Sequence, residues 1–364
     1  MNQFSTIIGI DLGDTFNYFH VVNAAGELVQ EGRVRCNLDA MSTFFAQYET
    51  PSLVAIETGT HSRWVSRVGE ANGHEVLVAN ARKVRAIYTN ERKSDALDAK
   101  MLARIARMDP QLLSPISHRG GQAQTDLALL KAREVLVAQR TQLINHIRGV
   151  VKSMGARLPS CSAPSFHKKT VEHVPEELRP ALAPLYEQLE DTTRRIREYE
   201  RLCQQRAEEE YTETELLQSV PGVGPLTSLA FVLTLESPDR FKDSRNVPAY
   251  LGLVPRRDQS GERDPQLRIS KAGDEFLRRL LVSCAHYILG PHGPDSELRQ
   301  WGERIVARGG RFAKRRAVIA VARKLAVILH QMWKTGMLWE PFPHAPDEDK
   351  ESVPEDAALA GVPV

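Results

Sequence analysis

The chain has 364 residues, of which 42% are hydrophobic and 26% charged. That balance is ordinary for a folded water-soluble protein and excludes wholesale disorder. A prior of about 150 residues per domain suggests two or three domains. The most apolar stretch, Ala317–Leu329, is broken by Arg323 and Lys324, so no run reaches the roughly 18 uncharged residues a membrane span needs. Residues 1–10 lack the basic start and small-residue cleavage site of a secretory signal. Cys36, Cys161, Cys203 and Cys284 lie far apart with no Cys-x-x-Cys pair. A disulfide framework and a zinc site are therefore not expected, and a reducing cytoplasmic location is. The net charge of +2 conceals an acidic end: from Pro341 on there are six acids and one base, leaving 47 bases against 40 acids before it. A basic body with a Pro-rich acidic tail fits a nucleic-acid binder, and equally a solvated surface with a disordered tail.

In chain order, residues 1–110 read as α/β. Strands are expected at Thr6–Leu12, Asn17–Asn23 and Glu27–Arg35, the last two around a turn at Ala24–Gly26. A helical spacing at Leu38–Tyr48 precedes a buried strand Leu53–Ile56 ending at Glu57. Helix Ser62–Ala71, strand Glu75–Ala79 and a helix through Arg107 with Ser94 as its N-cap complete the series. Three meandering strands followed by alternating helix and strand is the order of an RNase H-like sheet. Residues 111–215 switch to helical periodicity. Leu127, Leu130, Leu136, Leu143, Ile147, Val150 and Met154 form one apolar run; Leu178, Leu182, Leu185, Leu189, Ile196, Tyr199 and Leu202 form another. Two long amphipathic helices in an antiparallel coiled-coil hairpin are the simplest reading. Residues 216–340 form a mainly helical third unit, and 341–364 an acidic tail.

The chemistry starts with acids. Asp11 ends the first strand, Glu57 the fourth, and Asp95 and Asp98 are three apart on one helix. In an RNase H-like sheet the first and fourth strands are neighbours opening onto one edge. Four carboxylates brought there repel one another unless a cation intervenes, and hard oxygen donors suit Mg²⁺ or Mn²⁺. Two such ions could polarise a scissile phosphate. Each acid alone has a plainer explanation, as a turn residue or a favourable helix N-terminus. Gly9-Ile-Asp-Leu-Gly13 also resembles the phosphate turn of actin-like kinases, but the further Asp-x-Gly turn and Gly-Gly loop such folds need are missing.

In the third unit, Val220-Pro-Gly-Val-Gly-Pro225 reads as a helix-hairpin-helix turn, whose Gly222 and Gly224 would offer backbone N–H groups to a DNA phosphate. Ser260 lies downstream of Arg256 and Arg257, a nucleophile beside cations, though a Ser-Gly pair is more often only a turn. A basic helix, Arg311–Lys324, carries Lys314 and Arg315, with Val318, Val321, Leu325 and Ile328 facing inward.

Taken together, Ile10-Asp11, Ala55-Ile-Glu-Thr-Gly59, Lys93-Ser-Asp-Ala-Leu-Asp-Ala99, Pro221-Gly-Val-Gly-Pro225, Tyr250-Leu-Gly-Leu-Val-Pro255, Gln259-Ser-Gly261 and Ile269-Ser-Lys-x-Gly-Asp274 resemble the insertion sequence 110 transposase family over residues 5–338. The resemblance implies a RuvC-like domain whose Asp-Glu-Asp-Asp tetrad is Asp11, Glu57, Asp95 and Asp98, binding Mg²⁺ or Mn²⁺. It implies a C-terminal domain with Ser260 as nucleophile, Ser270 being the fallback in another register. It also implies a recombinase acting on donor and target DNA, guided by a structured noncoding RNA, and a tetramer in which the tetrad of one subunit works with the serine of another. The family often has Ser-Ser-Gly where this chain has Gln259-Ser-Gly. On this reading, Ser260 forms a 5′-phosphoserine link and frees a 3′-OH, with Arg256 and Arg257 stabilising charge. Arg82, Lys83, Arg85, Arg92 and Lys93 are expected to contact RNA or its heteroduplex through phosphates, with steep salt dependence. The alternative is a RuvC-like, metal-dependent, structure-specific endonuclease; a third class is a non-catalytic nucleic-acid binder.

Overall fold

The computed structural model describes residues 4–81, 94–261, 263, 265 and 267–343. Arg82, Lys83, Arg85, Arg92, Lys93 and the tail from residue 344 lie outside the described residues. The chain divides into two compact units, Met1–Gly120 and Gly121–Val364.

The first unit is built on strands β1 (Thr6–Asp11), β2 (Phe16–Asn23), β3 (Leu28–Arg35), β4 (Leu53–Glu57) and β5 (Glu75–Ala79), in the spatial order β3-β2-β1-β4-β5. β1, β2 and β3 form an antiparallel meander, while β4 and β5 run parallel to β1. The near-unbroken apolar run of β1 follows from its central place, covered on both faces. Ile8, Ile10, Val54 and Ile56 pack with Met41, Phe44 and Phe45 of α1 (Leu38–Ala46) and Val65 of α2 (Ser62–Ala71). Ile7, Val22, Leu53 and Ala55 pack on the other face with Leu102, Ala103 and Ala106 of α3 (Asp95–Met108). β3 is exposed along most of its length, and the charges in its Gln-Glu-Gly-Arg stretch protect that edge from further pairing. Buried Leu113 and a bridge from Ile116 to Val78 carry the unit past residue 110.

The second unit begins with α4 (Gly121–Ser153) and α5 (Arg179–Glu210), packed along one another. They are antiparallel: Tyr211 Oη donates to Asp126 at 2.7 Å, and Arg133 Nε donates to Glu200 at 3.1 Å. The buried positions Leu182, Tyr186, Leu189, Thr193, Ile196, Cys203 and Ala207 keep the three-and-four spacing of a helix seam. The seam differs from the sequence expectation at its ends. Met154 is exposed because the helix has already stopped at Ser153, and Leu202 is exposed because its neighbour Cys203 takes the inward position. The connection 158–174 folds back over the far end, where Phe166 stacks on Tyr186 and joins a core with Leu158, Val174 and Ile147.

At the near end, Ala123, Leu127, Leu130, Cys203 and Ala207 share one core with the C-terminal helices. These are α6 (Glu213–Gln218), α7 (Pro225–Leu235), α8 (Glu275–Ile288), α9 (Glu297–Ala307) and α10 (Ala313–Thr335). α7 is buried all round from Thr227 to Leu235, as its uninterrupted apolar sequence requires. His330 of α10 is fully buried and satisfied at both nitrogens, by Ser244 Oγ and Pro238 O, each at 2.9 Å, which ties the 237–246 turns to α10. Among the described residues no helix is long and apolar enough to cross a membrane.

Candidate active site

Asp11 and Glu57 are set side by side by strand register. Ile10 is paired with Ile56 on the parallel neighbours β1 and β4, so the next residue on each is the acid. Adjacent strands lie about 4.8 Å apart. Alternation puts Gly9 with Asp11, and Ala55 with Glu57, on the sheet face that α3 covers. The contact there is backbone to backbone: a Cβ on Gly9 would meet Ala99 O at 2.1 Å and Ala103 N at 2.4 Å. Only glycine admits the helix so closely. At its far end Arg107 donates to Ala24 O at 3.3 Å, beside the start of β1, so α3 runs antiparallel to β1. Its first turn therefore overlies the end where Asp11 stands.

Asp98, directly before Ala99, is 8% exposed, whereas Asp95 is exposed at the first helical position. Ser94 caps the helix, its hydroxyl accepting from Leu97 N at 3.3 Å. The positive helix terminus offsets part of the repulsion among the acids.

The donors at this edge are carboxylate oxygens, the chemistry of a hard divalent cation. Among the described residues no group of three or more His, Cys, Asp or Glu side chains is drawn into a metal-coordinating cluster. Mg²⁺ is commonly held by one or two carboxylates with waters and substrate phosphates, so the adjacency of Asp11 and Glu57 is the feature that fits it.

One neighbouring arrangement escapes a sequence reading. His61, at the N-cap of α2, lies 3.1 Å through Nε2 from Asp14 Oδ1, and Trp64 Nε1 donates to His61 Nδ1 at 3.1 Å. An indole N–H can only donate, so the neutral ring carries its proton on Nε2, toward Asp14. The contact ties the loop after β1 to the loop after β4, next to the acid pair. Asp14 and His61 are 47 residues apart, and nothing in their local sequences links them.

Ser260 sits in a different kind of structure. Two isolated antiparallel bridges, Pro255 with Ile269 and Ser260 with Arg263, give its segment a foot and a tip. At its foot Ser270 N donates to Val254 O at 2.8 Å and Arg256 N to Arg268 O at 2.9 Å. At its tip Ser260 and Arg263 exchange backbone hydrogen bonds of 3.1 and 3.0 Å around Gly261, whose φ of +56° suits a two-residue hairpin turn. The motifs on either side hold the foot. A Cβ on Gly252 would meet Ala272 O at 2.1 Å, and one on Gly273 would meet Tyr250 O at 1.9 Å. Buried Arg278 donates to Leu251 O at 2.9 Å beneath them. Ser260, Arg256, Arg257 and Arg263 are all exposed. Ser270 is half-buried in the foot, where its hydroxyl accepts from Ala272 N at 3.4 Å, a turn-forming task.

The Gly222–Gly224 turn joins α6 to α7 at the surface. Gly222 has φ +86° and lies against the Tyr287 ring, and Gly224 caps α7 ahead of Pro225. Lys314 and Arg315 are exposed on α10 while Val318, Val321 and Leu325 are buried and Ile328 packs at the margin of the core. The guanidinium of Arg315 lies 5.8 Å from the Phe312 ring centre.

Two transposase family models match this chain. Residues 8–155 match the DEDD transposase family model of the IS110 group, and residues 214–299 match the model described as the transposase IS116/IS110/IS902 family. The four acids fall within the first match, and Ser260, Gly222 and Gly224 within the second. The transposase for insertion sequence element IS1328 of Yersinia enterocolitica is 29% identical, covering 81% of this chain and 88% of its own length. The transposase for insertion sequence element IS1111A of Coxiella burnetii is 28% identical, covering 89% and 88%. The chain belongs to the IS110 family of insertion-sequence transposases.

Proposed function

We propose that this protein is a DNA recombinase that joins donor and target DNA through a covalent serine–phosphate intermediate, with a RuvC-like acidic edge as its metal-binding half and a structured noncoding RNA as its guide. The observation that carries the covalent chemistry is the position of Ser260, exposed at the tip of an arm bearing arginines and held by a turn that only a left-handed residue such as Gly261 makes readily. A serine there can approach a phosphate that a buried side chain could not reach.

In the first step the Ser260 Oγ–phosphorus bond forms as the bond from phosphorus to the 3′ oxygen breaks. The serine proton passes to solvent, and the departing 3′ oxygen takes one up. A 3′-OH of the partner strand then attacks the phosphoserine and restores the free hydroxyl. One phosphodiester is made for each one broken, so no nucleotide triphosphate is consumed. Asp11 and Glu57, with Asp98 and Asp95 from the α3 terminus, would hold Mg²⁺ or Mn²⁺. The ion would supply Lewis acidity toward the phosphate and lower the cost of activating a hydroxyl that is otherwise a poor nucleophile. A tetramer with tetrad and serine drawn from different protomers is part of this reading, as is phosphate contact by the basic face of α10.

The test is covalent capture. Incubated with Mg²⁺, DNA from the ends of its own element and a transcript of the adjoining noncoding segment, the protein should yield a denaturation-resistant DNA adduct mapping to Ser260 and absent in Ser260→Ala. Free 5′-phosphate ends with no adduct would instead mark a hydrolytic endonuclease.

A further inference from the structure

We infer that Arg263 is the residue that binds the scissile phosphate beside Ser260; this rests on the reading of Ser260 as the nucleophile. The reciprocal hydrogen bonds, Ser260 N to Arg263 O and Arg263 N to Ser260 O, define a hydrogen-bonded antiparallel pair. Side chains of such a pair stand on the same face of the ribbon with their Cβ atoms about 5.5 Å apart. The hydroxyl of Ser260 and the guanidinium stem of Arg263 therefore project together from the arm's tip, and both residues are exposed.

Arg256, which sequence proximity favours, is placed differently. Arg256 is paired with Arg268 near the foot. Three residues of chain lie between it and Ser260, a span of up to about 13 Å at 3.3 Å per step. That place near the foot suits a flanking phosphate, whereas Arg263 is paired directly with Ser260. Position 263 is invisible to a linear reading because it is the backbone pairing of Ser260 with Arg263, beside the positive φ of Gly261, that sets the two together.

Arginine suits the task. Its planar fork takes two non-bridging oxygens at once, and its charge persists at any working pH. As Ser260 Oγ bonds to phosphorus and the 3′ oxygen departs with its electron pair, negative charge accumulates on those non-bridging oxygens, where the guanidinium offsets it. Removing a preorganised donor of this kind costs about 10²–10³-fold in rate.

The experiment compares wild type, Arg263→Ala and Arg263→Lys, each full-length, on element-end DNA with either an ordinary phosphate or an uncharged methylphosphonate at the position where the wild-type adduct maps. Arg263→Ala should form adduct about 10²-fold more slowly on the phosphate, and Arg263→Lys should fall between. On the methylphosphonate, which lacks the charge to be neutralised, Arg263→Ala and wild type should agree within about threefold, a convergence that a purely structural role would not produce. Unchanged circular dichroism accompanies this outcome, since the residue lies at the surface. A Ser260-dependent adduct formed at the wild-type rate by Arg263→Ala, or a deficit that persists on the methylphosphonate, would overturn the Arg263 assignment and leave Ser260 standing. The absence of any Ser260-dependent adduct in wild type would overturn both.

Discussion

The acidic edge of the first unit and the serine arm of the second solve the problem of holding a functional group in opposite ways. Asp11 and Glu57 are the last residues of two central strands, and the helix over them is pressed onto β1 until backbone meets backbone at Gly9. Their positions are set by a core on each sheet face. Ser260 has almost no core beneath it. Its position comes from a turn at the tip and two glycine crossings at the foot, Gly252 and Gly273. A cation site needs donors fixed to within a fraction of an ångström, which rigid elements supply. On the proposed reading, Ser260 as a nucleophile must meet a large and variable substrate and gains more from reach.

This contrast predicts that equally small substitutions will fail differently. Gly9→Val forces a branched side chain into the Ala99 and Ala103 backbone and should cost about 3 kcal/mol or more, displacing α3 and its acids. Thermal unfolding and metal binding should fall together. Gly261→Ala should leave the melting temperature nearly unchanged, because its φ of +56° lies outside the core, and the strain of about 1–2 kcal/mol falls on the turn alone. Its adduct yield should nevertheless drop about tenfold or more, by the factor of ten per 1.4 kcal/mol. A Gly261→Ala protein that unfolded as readily as Gly9→Val would erase the distinction.

A smaller effect comes from His118. Burial first, then the charges of Arg63, Arg67 and Arg119, push its pKa down to about 4 from 6.5. Its folded pKa is depressed, so the unfolded chain binds the proton more readily between those values. The contribution to stability is full above pH 6.5 and is lost as pH falls toward 4. Denaturation followed across that window should show a slope that His118→Gln reduces, with the imidazole resonances of the wild type titrating near pH 4. A midpoint near 6.5 would remove this feature from the account.

Much of the first unit is legible in sequence because each strand advertises itself twice, by apolar composition and by the residues that end it. The five strands and α2 lie where the pattern puts them, and Ser94 caps α3 as expected. The adjacency of Asp11 and Glu57 was accessible too, since strand order converts two distant positions into neighbours. Less legible was anything set by a turn. The sequence from 254 to 270 contains Pro255 and Gly261 and little alternation, so it reads as a loop, although Pro255 pairs with Ile269 and Ser260 with Arg263, and the second pairing is what brings Arg263 to Ser260. Gly252 and Gly273 look like ordinary loop glycines until the crossing reveals what each avoids. In the helical hairpin, apolar residues alone misplace the seam because Cys203 and Ala207 contribute to it while Leu202 does not.

The account depends most on the acids of β1, β4 and α3 acting as one cation site before any nucleic acid arrives. Electron paramagnetic resonance of Mn²⁺ titrated into the free protein reads this directly. Saturable binding that Asp11→Asn, Glu57→Gln and Asp98→Asn each weaken by about tenfold or more, with circular dichroism unchanged and Ser260→Ala binding as wild type does, is the expected result. Mn²⁺ affinity indifferent to all three substitutions would contradict it.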